Sequence, residues 1–362
     1  MKNILITGGA GFIGSNFIHH ILNHRSTLHI TNLDDLTYSG NLDNLKDIQN
    51  LDRYHFIKGN ICDPEAINCL FQKYTFDTVV HFAAESHVDR SIQNPMQFIE
   101  TNVVGTANLL RNALVFWEKL EPGQKRTFRF LHVSTDEVFG SLDAGDPPFS
   151  ETTPYAPNSP YAASKAASDH LVRSYYQTYH FPAIITNCSN NYGPFQFPEK
   201  LIPLIILNAI AGKPLPIYGD GRQIRDWLYV LDHCQALLEI LEKGKIGETY
   251  NIGGNNQPAN LDIVRQICSI LDELCPESPF RPHSQLIQFV PDRPGHDRRY
   301  AMDTRKIEKE IGWQPRENLE SGLMKTVKWY LDHPDWVENI QRKPDYQAWM
   351  NVNYSQRGAA KR

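Results

Sequence analysis

"ILITGGAGFIGSNF", residues 4–17, decides the fold. An apolar run of strand character leads into glycines at positions 8, 9, 11 and 14, and a helical pattern follows. The spacing satisfies both G-x-x-G-x-x-G and G-x-G-x-x-G. Glycine permits the tight turn and lets the backbone approach a pyrophosphate, which then rests on a helix N-terminus where unpaired N–H groups and the dipole favour negative charge. Such a pattern is weak by itself. Here a strand precedes it, a helix follows it, and an acidic residue closes the next strand about twenty positions on. That residue is Asp34, whose carboxylate suits the adenosine ribose hydroxyls and repels a 2′-phosphate, so NAD is expected rather than NADP. Asp35 stands beside it, and the sequence leaves open which of the two bonds the ribose.

The rhythm continues outward from this turn. "NILITG", "LHITNLD", "HFIKGN", "DTVVHFAA" and "FRFLHVST" read as strands, with helical patterns over 11–24, 64–74 and 94–117 between them. A further helix is expected from Tyr161 to before Pro182, then "AIITNCSN" as a sixth strand. Such alternation predicts an α/β fold, a Rossmann-type doubly wound parallel sheet with helices on both faces. Beyond Asn191 the pattern breaks at Pro194, Pro198, Pro203, Pro214 and Pro216, and shorter elements follow: "LPIYG", "ETYNIG" and a helix over 261–275. We expect an NAD-binding domain over 1–191 and a smaller mixed α/β C-terminal substrate lobe over 192–340, with excursions of chain between them. A polar tail is expected over 341–362.

Composition sets the class. Of 362 residues, 41% are apolar and 21% charged, which suits a globular enzyme, and a net charge of −5 offers no basic field for nucleic acid. No apolar run reaches the roughly 20 residues of a membrane span. A strand pattern starting at Asn3 leaves no room for a leader, and six cysteines without C-x-x-C or metal-ligand spacing read as reduced thiols. A cytoplasmic protein without a resident metal is the expectation.

"SPYAASKAASDHLV" (159–172) places Tyr161 and Lys165 at i, i+4, on one face of a helix. An ammonium near a phenol lowers its pKa toward the working range, so that a phenolate takes a proton from a sugar hydroxyl as hydride leaves. Lysine can also bond the nicotinamide ribose. Thr135, at the end of the preceding strand, supplies a third hydroxyl for the same substrate oxygen. "TGGAGFIG" and "YAASK" together resemble the motifs of the extended short-chain dehydrogenase/reductase superfamily.

"VSTDEVFG" (133–140) adds what an ordinary dehydrogenase does not need, two carboxylates side by side where the neighbours are apolar. A hexose oxidised at C4 has an acidic C5 hydrogen; one carboxylate removes it while a nearby acid protonates the departing C6 hydroxyl. The enone then takes hydride at C6 from the reduced cofactor, which ends as it began. In that scheme Tyr161 accepts the C4 hydroxyl proton, Glu137 is the C5 base, and Asp136, kept protonated by burial and its neighbour, is the acid. Consecutive strand residues point to opposite faces, so both reach one site only if the strand has ended at Thr135.

The chain resembles the dTDP-glucose 4,6-dehydratases over nearly all of residues 1–335. The likeness rests on "LDDLTYSGNLDNL", "HFAAESHVDRSI", "VSTDEVFG", "YAASKAASDHLV", "NNYGPFQFPEKLIP", "GDGRQIRDWLYVLDH" and "DRPGHDRRYAMD". It implies a homodimer built through helices near 94–117 and 161–180. It implies catalytic roles for Thr135, Asp136, Glu137, Tyr161 and Lys165. Around the cofactor it implies Gly8, Gly11, Phe12, Ile13 and Gly14 at the turn, with Asp34, Thr37, Asn60 and Ile61 toward the adenosine. Phe82, Ala83, Ala84, Ser86, Thr101 and Asn191 complete that set, again with Tyr161 and Lys165. For the nucleotide sugar it implies Ser86, Thr135, Asn190, Lys200, Leu201 and Pro216, then Tyr218, Arg225, Asn260, Arg293, His296 and Tyr300. Lys200, Arg225, Arg293 and Arg298 are expected to gather positive charge for a diphosphate. Asn60 stands where the family usually has Asp, and Asp35 where it usually has Lys.

A nucleotide-sugar 4-epimerase shares the glycine turn and the tyrosine–lysine pair but needs neither a C5 base nor a C6 acid. A catalytically idle NAD-binding regulator or scaffold would show a broken catalytic set, and here the set is intact. The base specificity, dTDP against UDP, CDP or GDP, has no residue that reads it.

Overall fold

The computed structural model describes residues 1–292 and 295–352. Seven parallel strands form the central sheet: β1 (Asn3–Thr7), β2 (His29–Asp34), β3 (Tyr54–Lys58), β4 (Thr78–His81), β5 (Arg129–Thr135), β6 (Ala183–Cys188) and β10 (Thr249–Ile252). Their order is β10-β6-β5-β4-β1-β2-β3. The chain therefore reverses direction across the sheet between β1 and β4, the point at which doubly wound sheets bind ligands outside their strand ends. β1, β4, β5 and β6 are buried almost throughout, because helices cover both faces.

Two features of the chain after 191 differ from the expected division at that residue. "ETYNIG" forms β10, an edge strand of the main sheet in register with β6 (Tyr250 opposite Thr186). The helix Val230–Lys243 packs back on the helix Phe12–His24 and shares the main apolar core with it. Parallel strands need long crossovers, so distant segments can complete one sheet. The remaining lobe is held by the pairs β7 (Asn190–Tyr192) with β9 (Trp227–Tyr229), and β8 (Leu215–Tyr218) with β11 (Ile287–Val290). Its helices Leu201–Ile210, Asn260–Leu274 and Leu319–Asp332 bury a second core around Ile202, Ile206, Ile267, Leu323 and Val327.

The expected helix over 94–117 is divided into Pro95–Phe98, a π-helical turn Ile99–Gly105, and Thr106–Glu118. The wider π-turn places Glu100 and Thr101 on the wall of the cavity described below, a recurrent use of π-helical insertions. At the other end, residues 344–350 form the helix Pro344–Met350 with Tyr346 and Trp349 buried, where a polar tail was expected from 341. Indole and phenol rings override the polar residues between them because they alone offer apolar area to bury.

Gly8 and Gly14 are close-approach positions. Gly8 has φ +76°, and a Cβ on it would meet the Ala83 nitrogen at 2.6 Å; a Cβ on Gly14 would meet the Gly8 carbonyl oxygen at 2.3 Å and the Gly9 Cα at 2.8 Å. Gly14→Ala is expected to cost about 1–3 kcal/mol of stability through overpacking and to weaken NAD binding, read from the denaturation midpoint and an NAD titration. Unchanged values for both would refute the close-approach role.

Candidate active site

The strand ends converge on one cavity of about 490 Å³, with walls from Gly8 through Lys200. Every residue expected at the cofactor lines it. The turn residues Gly8, Gly11, Phe12, Ile13 and Gly14 form its floor with Phe82, Ala83 and Ala84 after β4. Gly11 caps the helix Phe12–His24 without any side-chain cap, and no acidic residue occupies the first turn. A Cβ on Gly11 would meet only the Gly8 carbonyl oxygen, at 3.3 Å, so the space above it is kept clear by the missing side chain. The fit to a dinucleotide diphosphate is good: bare N–H groups, a helix dipole and an open cradle.

Asp34 closes β2 and turns back on that cradle. Its carboxylate accepts from the Ala10 N–H (2.9 Å) and the Leu36 N–H (2.8 Å). Burial pushes its pKa up, and those two N–H groups pull it back. Asp35 takes a different partner, accepting from the Asn60 amide at 2.8 Å, while Asn60 Oδ1 accepts from the Cys62 N–H at 2.7 Å. Asp34 is thus the buried carboxylate built into the phosphate turn, and Asp35 orients an amide at the rim. Asp35 and Asn60, two positions where the sequence reading expected other residues, thus bond each other at the rim. Thr37, Ile61, Thr101 and Asn191 complete the wall.

β5 ends at Thr135, and Asp136–Phe139 is a 3₁₀ turn. The strand alternation therefore stops where both carboxylates must face one way. The Thr135 hydroxyl donates to Asp136 Oδ1 (3.2 Å), accepts from the Glu137 N–H (3.3 Å), and lies near the Tyr161 phenol. Thr135, Asp136, Glu137, Tyr161 and Lys165 all line the cavity. Asp136 is 1% exposed, and burial, then Glu137, then Asp226 hold its carboxyl well above the usual range. Asp226 itself is pushed up to about 6 by burial, although the N–H groups of Gly254 and Asn256 donate to it. Asp136 is accordingly the carboxyl of the site that burial and its neighbours favour in the protonated form.

The helix Pro160–Tyr179 that carries Tyr161 and Lys165 starts on Ser159, whose hydroxyl accepts from the Ala162 N–H, with Pro160 in its first turn; such a cap contributes about 1 kcal/mol. Asp169, one turn beyond Lys165, accepts from Ser134, Tyr155 and Asn187, and Asn187 also donates to the Thr135 carbonyl. These bonds tie the helix to the end of β5. Lys165 Nζ donates to the Val133 carbonyl at 2.9 Å. The phenol does not behave as its spacing from Lys165 suggested: burial first, then Glu137, push Tyr161 well above its ordinary value. Burial dominates because neither side chain reaches solvent, and Lys165 is itself lowered for the same reason.

The residues expected at the nucleotide sugar fall into two groups. Ser86, Thr135, Asn190 and Lys200 line the cavity, with Lys200 Nζ donating to the Ser86 carbonyl at 3.2 Å. The second group lies in the smaller lobe. Arg225 sits over the Tyr300 ring at 4.2 Å, and its guanidinium donates to the Ile224 and Asp297 carbonyls. Tyr218 meets His296 edge-on, and His296 bonds Asp292 at 2.6 Å. Pro216 flanks Tyr218 on β8; Leu201 and Asn260 open the helices Leu201–Ile210 and Asn260–Leu274. This group adjoins the catalytic one, since Arg225 acts electrostatically on Asp136, and Glu137 on Tyr300. Arg293 lies outside the described residues. Arg298 pairs with Asp220, at 3.0 and 3.2 Å, on the surface of the smaller lobe. An acidic neighbour from the β8–β9 connection reaches it, a pairing invisible in the local sequence.

Tyr38, Arg90, Glu199 and Asp226 are the important residues the motif reading passed over. A carboxylate inside "QFPEKLIP" was the available signal for Glu199, because a charge in an apolar run needs a partner. Among the described residues, no three metal-ligating side chains come together, and no helix is long and apolar enough to cross a membrane.

Comparison with known proteins accords with this geometry. A family model described as GDP-mannose 4,6 dehydratase matches residues 5–326. The dTDP-glucose 4,6-dehydratase of Shigella flexneri is 54% identical over 362 residues, covering 98% of this chain and 99% of that protein. The chain belongs to the dTDP-glucose 4,6-dehydratase family. Two solved members share its fold at TM-scores of 0.83 and 0.84. That of Bacillus anthracis, in complex with NAD, is 45% identical, and that of Streptomyces venezuelae, with NAD and a second ligand bound, 42%; each covers 94% of this chain and is itself covered in full.

Proposed function

We propose that this chain is an NAD-dependent hydro-lyase that converts dTDP-glucose to dTDP-4-keto-6-deoxyglucose and water. The observation that carries this reading is the carboxyl pair at the end of β5: a buried Asp136, its pKa pushed up by burial and by Glu137, beside Glu137, both facing the cavity shared with Tyr161. NAD in that cavity supplies a hydride acceptor, a hydride donor after C4 oxidation, and in its oxidised form a positive charge.

Tyr161, ionised by the positive charges that Lys165 and bound oxidised NAD would bring beside it, would receive the C4 hydroxyl proton as a phenolate, with the Thr135 hydroxyl near the same ring oxygen to fix its direction. Lys165 keeps a cation beside an otherwise unwilling phenol. Glu137 takes the C5 proton, and Asp136 protonates the departing C6 hydroxyl, which leaves as water. Nearness of like charges sets these roles apart: burial and the neighbouring Glu137 raise the proton affinity of Asp136, which suits it to the acid's part. Neither an epimerase nor an idle scaffold has use for that pair.

Residues 1–191, with the returning helix Val230–Lys243 and β10, form the NAD-binding unit in this reading, and the rest of 192–340 holds the nucleoside diphosphate. A homodimer fits the apolar side chains left on the helices around 95–118 and 160–179. Met96 is 66% and Val104 52% exposed, with Ile92, Ile99, Val115 and Tyr179 also outward. Sedimentation of the purified chain tests the dimer. All six cysteines are free thiols, as a reducing cytoplasmic setting requires.

Incubation with dTDP-, UDP-, CDP- and GDP-hexoses, followed by mass spectrometry, tests the reaction. Loss of one water from dTDP-glucose is the expected result; loss from none of the four rejects the reading. The raised proton affinity of Asp136 has a second consequence. Its folded pKa lies above the ordinary 3.8, so the stability of the neutral form is fully present in acid and is lost as pH rises toward the folded value. Asp136→Asn is therefore expected to raise Tm relative to the parent in mildly alkaline buffer, with the advantage vanishing in acid. A variant less stable than the parent at alkaline pH would contradict this.

A further inference from the structure

The helices Pro334–Gln341 and Pro344–Met350 lie beyond the stretch that the family model matches, and both pack behind the cofactor cavity, Tyr346 against its lining residue Phe197 and Trp336 against Asn44. The Arg90 guanidinium lies over two rings at once, Tyr38 at 4.0 Å and Trp349 at 4.2 Å. Its N–H groups grip Glu199 with two bonds, Nε to Oε1 at 3.4 Å and Nη2 to Oε2 at 2.9 Å, and the Glu199 side chain is fully buried. Tyr38 and Glu199 belong to different walls of the cavity. Tyr38 follows β2 beside Asp34 and Thr37, whereas Glu199 follows β7 beside Asn191. Arg90 thus ties the adenosine-side loop to the loop on the far side.

A second tie runs parallel to it. Tyr38 meets Phe197 edge-on at 5.7 Å, and Phe197 meets Tyr346 at 5.8 Å. The helix Pro344–Met350 therefore backs both ties, Tyr346 behind Phe197 and Trp349 behind Arg90. The helix Pro334–Gln341 adds a third link. Trp336 Nε1 donates to Asn44 Oδ1 at 2.8 Å, Asn44 Nδ2 donates to the Ala10 carbonyl at 3.0 Å, and the Ala10 N–H donates to Asp34 at 2.9 Å. That relay ends in the phosphate turn.

We propose that this C-terminal helix pair is a clasp that retains NAD, with Trp349 and Trp336 as positioning residues acting through Arg90 and Asn44. The proposal rests on the dehydratase reading, in which hydride goes out and returns on one bound cofactor, so that release between turnovers serves no purpose. For NAD to leave, the two loops must part, which breaks the Tyr38–Phe197 contact and the Arg90–Glu199 grip together. A guanidinium shielded by two rings resists that opening, since water cannot replace either partner cheaply.

The test uses full-length protein purified with its cofactor. Wild type, Trp349→Ala, Trp349→Phe and Trp336→Phe are desalted, and the NAD still bound is followed over time after dilution. Trp349→Ala is expected to lose NAD about tenfold faster, with activity that returns when NAD is added. Trp349→Phe should fall between it and wild type, because one ring is restored. Trp336→Phe, which keeps the ring and removes one hydrogen bond, should also release NAD faster. Circular dichroism confirms folding; if Trp349→Ala does not fold, the two phenylalanine variants decide. Folded variants that hold NAD as long as wild type overturn the clasp, as does activity that added NAD fails to restore. The two readings fail separately. A wild type that retains NAD but dehydrates no sugar rejects the dehydratase reading, whereas one that dehydrates yet sheds NAD on desalting rejects the clasp alone.

Discussion

Glu137→Gln is expected to lower the dehydration rate by about 10²- to 10⁴-fold, the usual worth of a positioned base, while nucleotide-sugar and NAD affinity stay near the parent values. The substitution keeps the shape of the side chain, and the Glu137 N–H that donates to Thr135 is unaffected. Tyr161, Lys165 and Thr135 are untouched, so C4 oxidation still proceeds. The C5 proton then has no acceptor. Reduced cofactor and a 4-keto hexose should therefore accumulate on the enzyme, visible as the absorbance of reduced nicotinamide during a single turnover. Dehydration at a near-normal rate would show that another group removes the C5 proton.

Tyr161→Phe is expected to cause a loss of similar size with the opposite signature. Without the phenol nothing receives the C4 hydroxyl proton, so hydride never leaves the sugar and reduced nicotinamide does not appear. Packing should survive, because the ring that meets Phe98 edge-on at 6.3 Å is kept and only the hydroxyl near Thr135 is lost. Removing a phenol whose burial is costly should leave Tm unchanged or slightly raised. Accumulation of reduced nicotinamide in this variant would place the first proton transfer elsewhere. Set beside one another, the two variants separate oxidation from elimination, which a single inactive mutant cannot do.

Arg298 and the Tyr161–Lys165 pair show where local reading reaches its limit. Charge in "DRPGHDRR" is visible locally, but which carboxylate Arg298 pairs with depends on what the fold brings alongside, here Asp220. A four-residue spacing places Tyr161 and Lys165 on one helix face, but burial, a property of the whole molecule, sets their proton affinities.

Local periodicity and turn chemistry were sufficient for six of the seven strands of the sheet, the phosphate turn with Asp34, and the helix bearing Tyr161 and Lys165. Each of these is written within one or two turns or strands of chain, where neighbouring residues dictate backbone geometry. Tertiary structure alone decided that β10 completes the sheet and that the 3₁₀ turn after Thr135 sets both carboxylates on one cavity. It alone brought Trp349, Arg90, Tyr38 and Glu199 together from four separate parts of the chain. Their meeting depends on packing between segments far apart in sequence, and packing is settled by shape and burial once the whole chain has closed, leaving no periodic mark on the residues that take part.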